Sequence, residues 1–98
     1  MTLSELARVV RSKNAGPTLL TIDVLFADED AFVRGRAGLT VEAVAARYGR
    51  AVADVSVISV SAAKAVKIVL PREVPAGAPG DRDVYGAQQH VPLLRLSV

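Results

Sequence analysis

The chain has no cysteine and no tryptophan, and its only aromatic residues are Phe26, Phe32, Tyr48 and Tyr85. Without cysteine it can form neither a disulfide framework nor a thiolate metal site, and nothing in it calls for an oxidising compartment. With so few rings, the core has to be assembled from Val, Leu, Ile and Ala. No charge of one sign dominates. The net charge is +2, and arginines are scattered from Arg8 to Arg95 among acids, unlike the concentrated basic patch of a nucleic-acid binder. A long apolar run is also lacking: nothing approaches the ~20 residues that span a bilayer. Met1 to Val10, interrupted by Glu5 and Arg8, has no signal-peptide apolar stretch. The expectation is a cytoplasmic protein with neither a membrane nor a nucleic acid as partner.

At 98 residues, a single domain over residues 1–98 with one core is expected. Thr2-Leu3-Ser4-Glu5 has the pattern of a capping box, and Leu3, Leu6, Ala7 and Val10 share one helical face, so an N-terminal helix is predicted that stops at Asn14, Gly16 and Pro17. Leu19 to Phe26 alternates with period two and predicts a strand. Asp28, Glu29 and Asp30 suit a helix N-terminus, where acids face the positive end of the macrodipole, and a helix is expected over Ala31 to Arg36. Thr40 offers a new N-cap, and the stripe Val41, Val44, Ala45 and Tyr48 ends at Gly49, a C′ residue. Val55 to Val60 and Ala65 to Leu70 predict a β-hairpin, and Leu94, Leu96 and Val98 alternate as a last strand. Between them, Pro71 to Pro92 carries four of the five prolines and reads as a loop.

These elements predict an α+β domain, a ferredoxin-like four-stranded antiparallel sheet with helices on one face. In it a Pro/Gly loop replaces the second crossover helix and an extra N-terminal helix covers the gap. In the expected strand order, last, first, third, second, Lys13 and Asn14 neighbour Pro71 and Arg72, whereas His90 lies at the far end of the sheet. Leu19, Leu25, Val69 and Leu93, with Thr21, Asp23, Lys67 and Arg95, should form a half-apolar face away from the helices, suited to docking or self-association.

The segments Arg11 to Pro17, Thr21-Ile22-Asp23, Lys67 to Arg72 and Asp83-Val84-Tyr85-Gly86-Ala87-Gln88-Gln89-His90 resemble the AtuA-like ferredoxin-fold family. The resemblance runs over essentially the whole chain, departing at Thr18 and Val91. It implies a ferredoxin-like fold and a partnership with a larger AtuA-like protein in the breakdown of branched or hydroxylated carboxylic acids or their thioesters. It carries no catalytic residue.

Several residues have the chemistry of a site. Lys13 could hold a carboxylate or phosphate, with Asn14 and nearby N–H groups completing a nest; the alternative is an Asn14 helix cap. His90, the lone histidine, is the best candidate for a catalytic acid or base, although a hydrogen-bonded structural role is the commoner use of such a residue. Asp81, Asp83 and His90 match no metal-ligand spacing, and Asp81-Arg82-Asp83 is read as a solvated turn in which Arg82 pairs with a neighbouring acid. Gly77, Gly80 and Gly86 make no phosphate loop, so no cofactor is implied.

The sequence therefore points to an accessory subunit whose contact points are Lys13, Asn14, Arg72, Tyr85, Gln88, Gln89 and His90. A hydratase or lyase site shared between subunits, with His90 as acid or base, is the alternative, and a homo-oligomer is expected.

Overall fold

Residues 1–83 and 85–98 are described by a computed structural model of the chain; Val84, inside the Asp83–His90 word, lies outside them. The architecture is α+β, with a four-stranded antiparallel sheet and helices on one of its faces. Strands β1 (Val9–Asn14), β2 (Leu19–Leu25), β3 (Ser56–Val60) and β4 (Ala65–Pro71) are arranged in the order β1-β2-β4-β3. The helices are α1 (Leu3–Leu6), α2 (Glu29–Gly38) and α3 (Val41–Tyr48).

Alternation sets the two faces of the sheet, because successive strand side chains point to opposite sides. Leu20, Ile22 and Val24 of β2 stand beside Leu70, Ile68 and Val66 of β4 in register. These six are at most 1 % exposed. They pack against Leu3, Phe32, Leu39, Val44, Ala45 and Leu93 in one core, capped at one end by an edge-on contact of the Phe26 and Phe32 rings at 6.2 Å. Helix ends follow local chemistry: Asp28 accepts from Ala31 N–H at 2.8 Å, Thr40 from Ala43 N–H at 3.1 Å, and Gly49 closes α3 in the left-handed region at φ 64°.

Two expectations are overturned at the chain ends. The N-terminal helix is only Leu3–Leu6, with Glu5 accepting from Thr2 N–H at 2.9 Å, and the chain then turns extended at Ala7 and runs as β1. The helical spacing of Leu3, Leu6, Ala7 and Val10 conceals a period-two segment whose inward residues after Val10 are the polar Ser12 and Asn14. Conversely, Leu94, Leu96 and Val98 form no strand. Val91–Leu93 is a turn of 3-10 helix entered through Pro92, followed by a single bridge between Thr2 and Ser97. Leu3 and Ser4 donate to the carbonyls of Leu96 and Leu94 at 2.8 and 2.9 Å, so the two ends bind each other. The edge position expected of the last strand, beside β2, is therefore filled by β1.

The outward face is open. Its rows, read across the strands from the pairing register, are Val9, Leu25, Ala65 and Val60; then Arg11, Asp23, Lys67 and Ile58; then Lys13, Thr21, Val69 and Ser56. Leu93, expected here, is fully buried in the core, and Arg95 lies outside the sheet.

Candidate functional site

The polar residues of the chain converge where the segment after β4 folds back across the free edge of β1. Arg72 follows β4 directly, and its side chain is only 3 % exposed. A buried guanidinium is tolerable only if its fork of donors is filled. Nη1 donates to Asn14 Oδ1 at 2.6 Å, Nη2 to Asp81 Oδ1 and to the Asp83 carbonyl at 2.7 Å each, and Nε to the Val74 carbonyl at 3.0 Å.

Each acid is itself held by backbone donors. Asp81 accepts from the N–H groups of Gly77 and Asp83 at 2.8 Å. The Gly77 and Asp83 N–H groups, together with the Arg72 charge, hold its carboxyl below the usual carboxylate range despite burial. Desolvation works against the charge on Asp83, but donation from Gln88 N–H, the Gln89 amide and Ala87 N–H outweighs it, and this pKa is lowered too. Asp83 thereby ties down the turn that leads to His90.

That turn docks on β1. Asn14 N–H donates to the Tyr85 carbonyl at 3.2 Å, extending the edge of the sheet by one bond. Gly86 sits against Asn14 at φ 72°, where a Cβ would fall 2.5 Å from Asn14 Oδ1, so both space and backbone conformation call for glycine. Ser12, buried on the inner face, donates to the Gly86 carbonyl at 2.6 Å and accepts from His90 N–H at 3.2 Å. Its single proton being committed to Gly86, Ser12 can only accept in its 3.3 Å contact with His90 Nδ1, and Nε2 is the ring nitrogen that Ser12 does not engage.

Helix α3 clamps the same segment from the other side. Tyr48 donates to the Gln89 carbonyl at 2.8 Å and Arg47 to the Pro92 carbonyl at 2.6 Å. Burial pushes the Tyr48 phenol up, so it serves as a fixed donor.

The candidates thus divide. Asn14 and Arg72 are neighbours, as the strand order implies, and His90 belongs to the same cluster through Ser12 and Gly86, contrary to the expectation of a far end. Asn14 caps no helix and forms no nest; it is the last residue of an extended strand. Lys13 points to the open face of the sheet, opposite Ser12 and Asn14. Arg72, not Arg82, is the ionic partner of Asp81, whose side chain is 2 % exposed, so that within this turn only Arg82 is left exposed. Tyr85, 83 % exposed, and Gln88 present their side chains to solvent. Asp81, Asp83 and His90 do not converge as ligands: no cluster of three or more His, Asp or Glu suited to a metal occurs among the described residues. An open cleft of about 180 Å³ lies between Arg72–Val74 and Gly80–Asp83, with Gln89 at its side.

Sequence reasoning misses Ser12 and Tyr48. Ser12 was recoverable as a polar residue at an inward strand position; Tyr48, one of the α3 stripe, gave no sign that its hydroxyl would reach the loop.

A four-stranded antiparallel sheet, roofed by helices on one side and strapped at one edge by a hydrogen-bonded loop, defines a small α+β domain with one bare sheet face. The chain belongs to the family described as a domain of unknown function, DUF4387, which matches residues 3–97. No curated protein and no solved structure matches it. No helix among the described residues is long and apolar enough to cross a membrane.

Proposed function

We propose that this domain is an accessory subunit that docks its bare sheet face on a larger AtuA-like protein acting in the catabolism of branched or hydroxylated carboxylic acids or their thioesters. The observation that carries this reading is the contrast between the two sides of the molecule. Every buried side-chain nitrogen or oxygen among the described residues has a partner within the chain, and the cluster around Arg72 is spent on holding the loop. The sheet face, by contrast, presents Val9, Leu19, Ile58 and Val60 at 40, 40, 53 and 42 % exposure with no layer over them. Exposed apolar groups sharing one face are the mark of an interaction surface.

Its charge narrows the partner. Arg11, Lys13 and Lys67 lie on this face with Asp23 as the only acid of the three rows, and Arg11 is within 3.8 Å of Asp23. A partner surface that is apolar with an acidic rim fits it better than a second copy of the same face. The AtuA-like class of the partner rests on the resemblance of the Ser12–Pro17 and Tyr85–His90 words. Asn14 and Arg72 act indirectly, by shaping the edge, while Lys13, Tyr85 and Gln88 are available for contact. Co-expression with an AtuA-like protein encoded beside this chain, followed by affinity purification, tests the proposal. The two should co-purify and bind at micromolar concentration, and Leu19→Glu with Val9→Glu should abolish it; no association with the unaltered chain would overturn it.

The orientation of His90 supports a second reading, a hydratase or lyase site shared across the subunit interface. With Nδ1 engaged by Ser12, Nε2 is the ring nitrogen left for exchanging a proton with a substrate. Lys13, on the other face of the sheet, takes no part in such a site. Turnover of the reconstituted pair should then collapse in His90→Gln; unchanged turnover would remove this reading.

A further inference from the structure

The two edges of the sheet are treated differently. Outside β1, the chain supplies its own cover through Asn14 N–H and the Tyr85 carbonyl. Outside β3 there is none: β3 is the last strand in the order, and among the described residues its backbone makes no hydrogen bond other than those to β4. Exposed edges are normally blunted by charge, proline or a bulge, because their free N–H and C=O groups template another strand. Ser56-Val57-Ile58-Ser59-Val60 has no charge and no proline, pairs with β4 in unbroken register, and is exposed at every residue but Val57.

We propose that β3 is a pairing edge whose occupant is the β3 strand of a second copy, aligned antiparallel about a two-fold axis through Ile58, so that two sheets join into one of eight strands. Free backbone groups on a strand select another strand as their partner, and this segment complements itself. About Ile58, Val57 meets Ser59 of the other copy on the helix side, Ser56 meets Val60 on the bare side, and the two Ile58 side chains abut. No charge lies within the paired segment, and the nearest cations, Lys67 on each β4, are separated by three strand spacings, ~14 Å, beyond the screening length of physiological salt. Asp54, two residues before β3, is carried toward the partner's turn bearing Lys64, four residues beyond it, at both ends of the ribbon. Pairing of five residues buries less than the ~1,200 Å² of a standard complex, so the dimer is concentration-dependent. It rests on the backbone edge of β3 and needs no larger protein, so it can fail or succeed independently of the docking proposed above.

The absence of cysteine gives a clean test. Residues directly opposite in an antiparallel pair have Cβ atoms about 4.5–5.5 Å apart, whereas two Val60 residues would be four positions, ~13 Å, apart. Under mild oxidation, Ile58→Cys should cross-link to a dimer and Val60→Cys should not. Light scattering of the unaltered chain should pass from monomer to dimer mass as concentration rises. A monomer at up to about 1 mM, equal cross-linking at both positions, or a dimer that Ile58→Cys fails to trap would overturn the proposal.

Discussion

Asn14 and Arg72, 58 residues apart in the chain, meet at 2.6 Å, where the end of β1 and the residue after β4 flank β2. This contact joins the sheet to the loop. Through it the guanidinium is aligned with Asp81 and the Asp83 carbonyl, and through Asp83 the turn carrying Gly86 and His90 is held on the β1 edge.

Removing that guanidinium should loosen the whole strap. Arg72→Ala leaves the Asp81 carboxylate buried without its counter-charge, an arrangement far costlier than never having built the pair. The expected result is a fall in melting temperature of roughly 10 °C, with rapid proteolytic cleavage between Glu73 and Gln89 while the sheet persists. An unchanged melting curve and cleavage pattern would show that the strap does not depend on Arg72.

The same strap should be acid-labile. Asp81 and Asp83 titrate below the ordinary 3.8 of an aspartate in the folded chain. Their contribution to stability is therefore fully present above that value and is lost as pH falls below it, through the lowered folded values. Thermal melts from neutrality to about pH 3 should show destabilisation confined to the acid end, and Asp83→Asn should flatten it in proportion to its share.

Gly86→Ala tests the docking of the turn on β1. The substitution forces a side chain into the left-handed region and against Asn14, and should cost more than the ~1 kcal/mol by which alanine stabilises compatible sites. Chemical denaturation would measure it, with Gly77→Ala, at φ 79° but with open space around it, as the control for backbone conformation alone.

Leu93 and Leu19 separate the core from the bare face. Leu93→Ala should cost about 2–5 kcal/mol, as for other buried leucines, and Leu19→Ala well under half of that because its side chain is already partly in water.

What could be read in the sequence was local. Strand β2, the β3–β4 hairpin, the acidic helix start at Asp28 to Asp30 and the caps Thr40 and Gly49 are legible because alternation and end chemistry lie within a few residues of each other. Strand β1 is not, because its inward positions Ser12 and Asn14 are polar; the returning loop buries Ser12 and half-buries Asn14, a contact across 74 residues for Ser12 and Gly86. The C-terminal leucines misled for the complementary reason. Leu93 and Leu96 enter the core from turns, and their alternating neighbours imitate a strand. In the candidate site, the adjacency of Asn14 and Arg72 follows from strand order, but the return of His90 does not, since it depends on Asp83 and Gly86 shaping a loop with no periodicity.

Whether the bare sheet face is the docking surface can be read by methyl-resolved NMR of the chain titrated with the AtuA-like protein. The methyl signals of Val9, Leu19, Leu25, Ile58, Val60 and Val69 should shift or broaden at micromolar partner while those of the buried Leu3, Ile68 and Leu93 stay in place. No change at that concentration, or changes confined to the loop from Glu73 to His90, would contradict it.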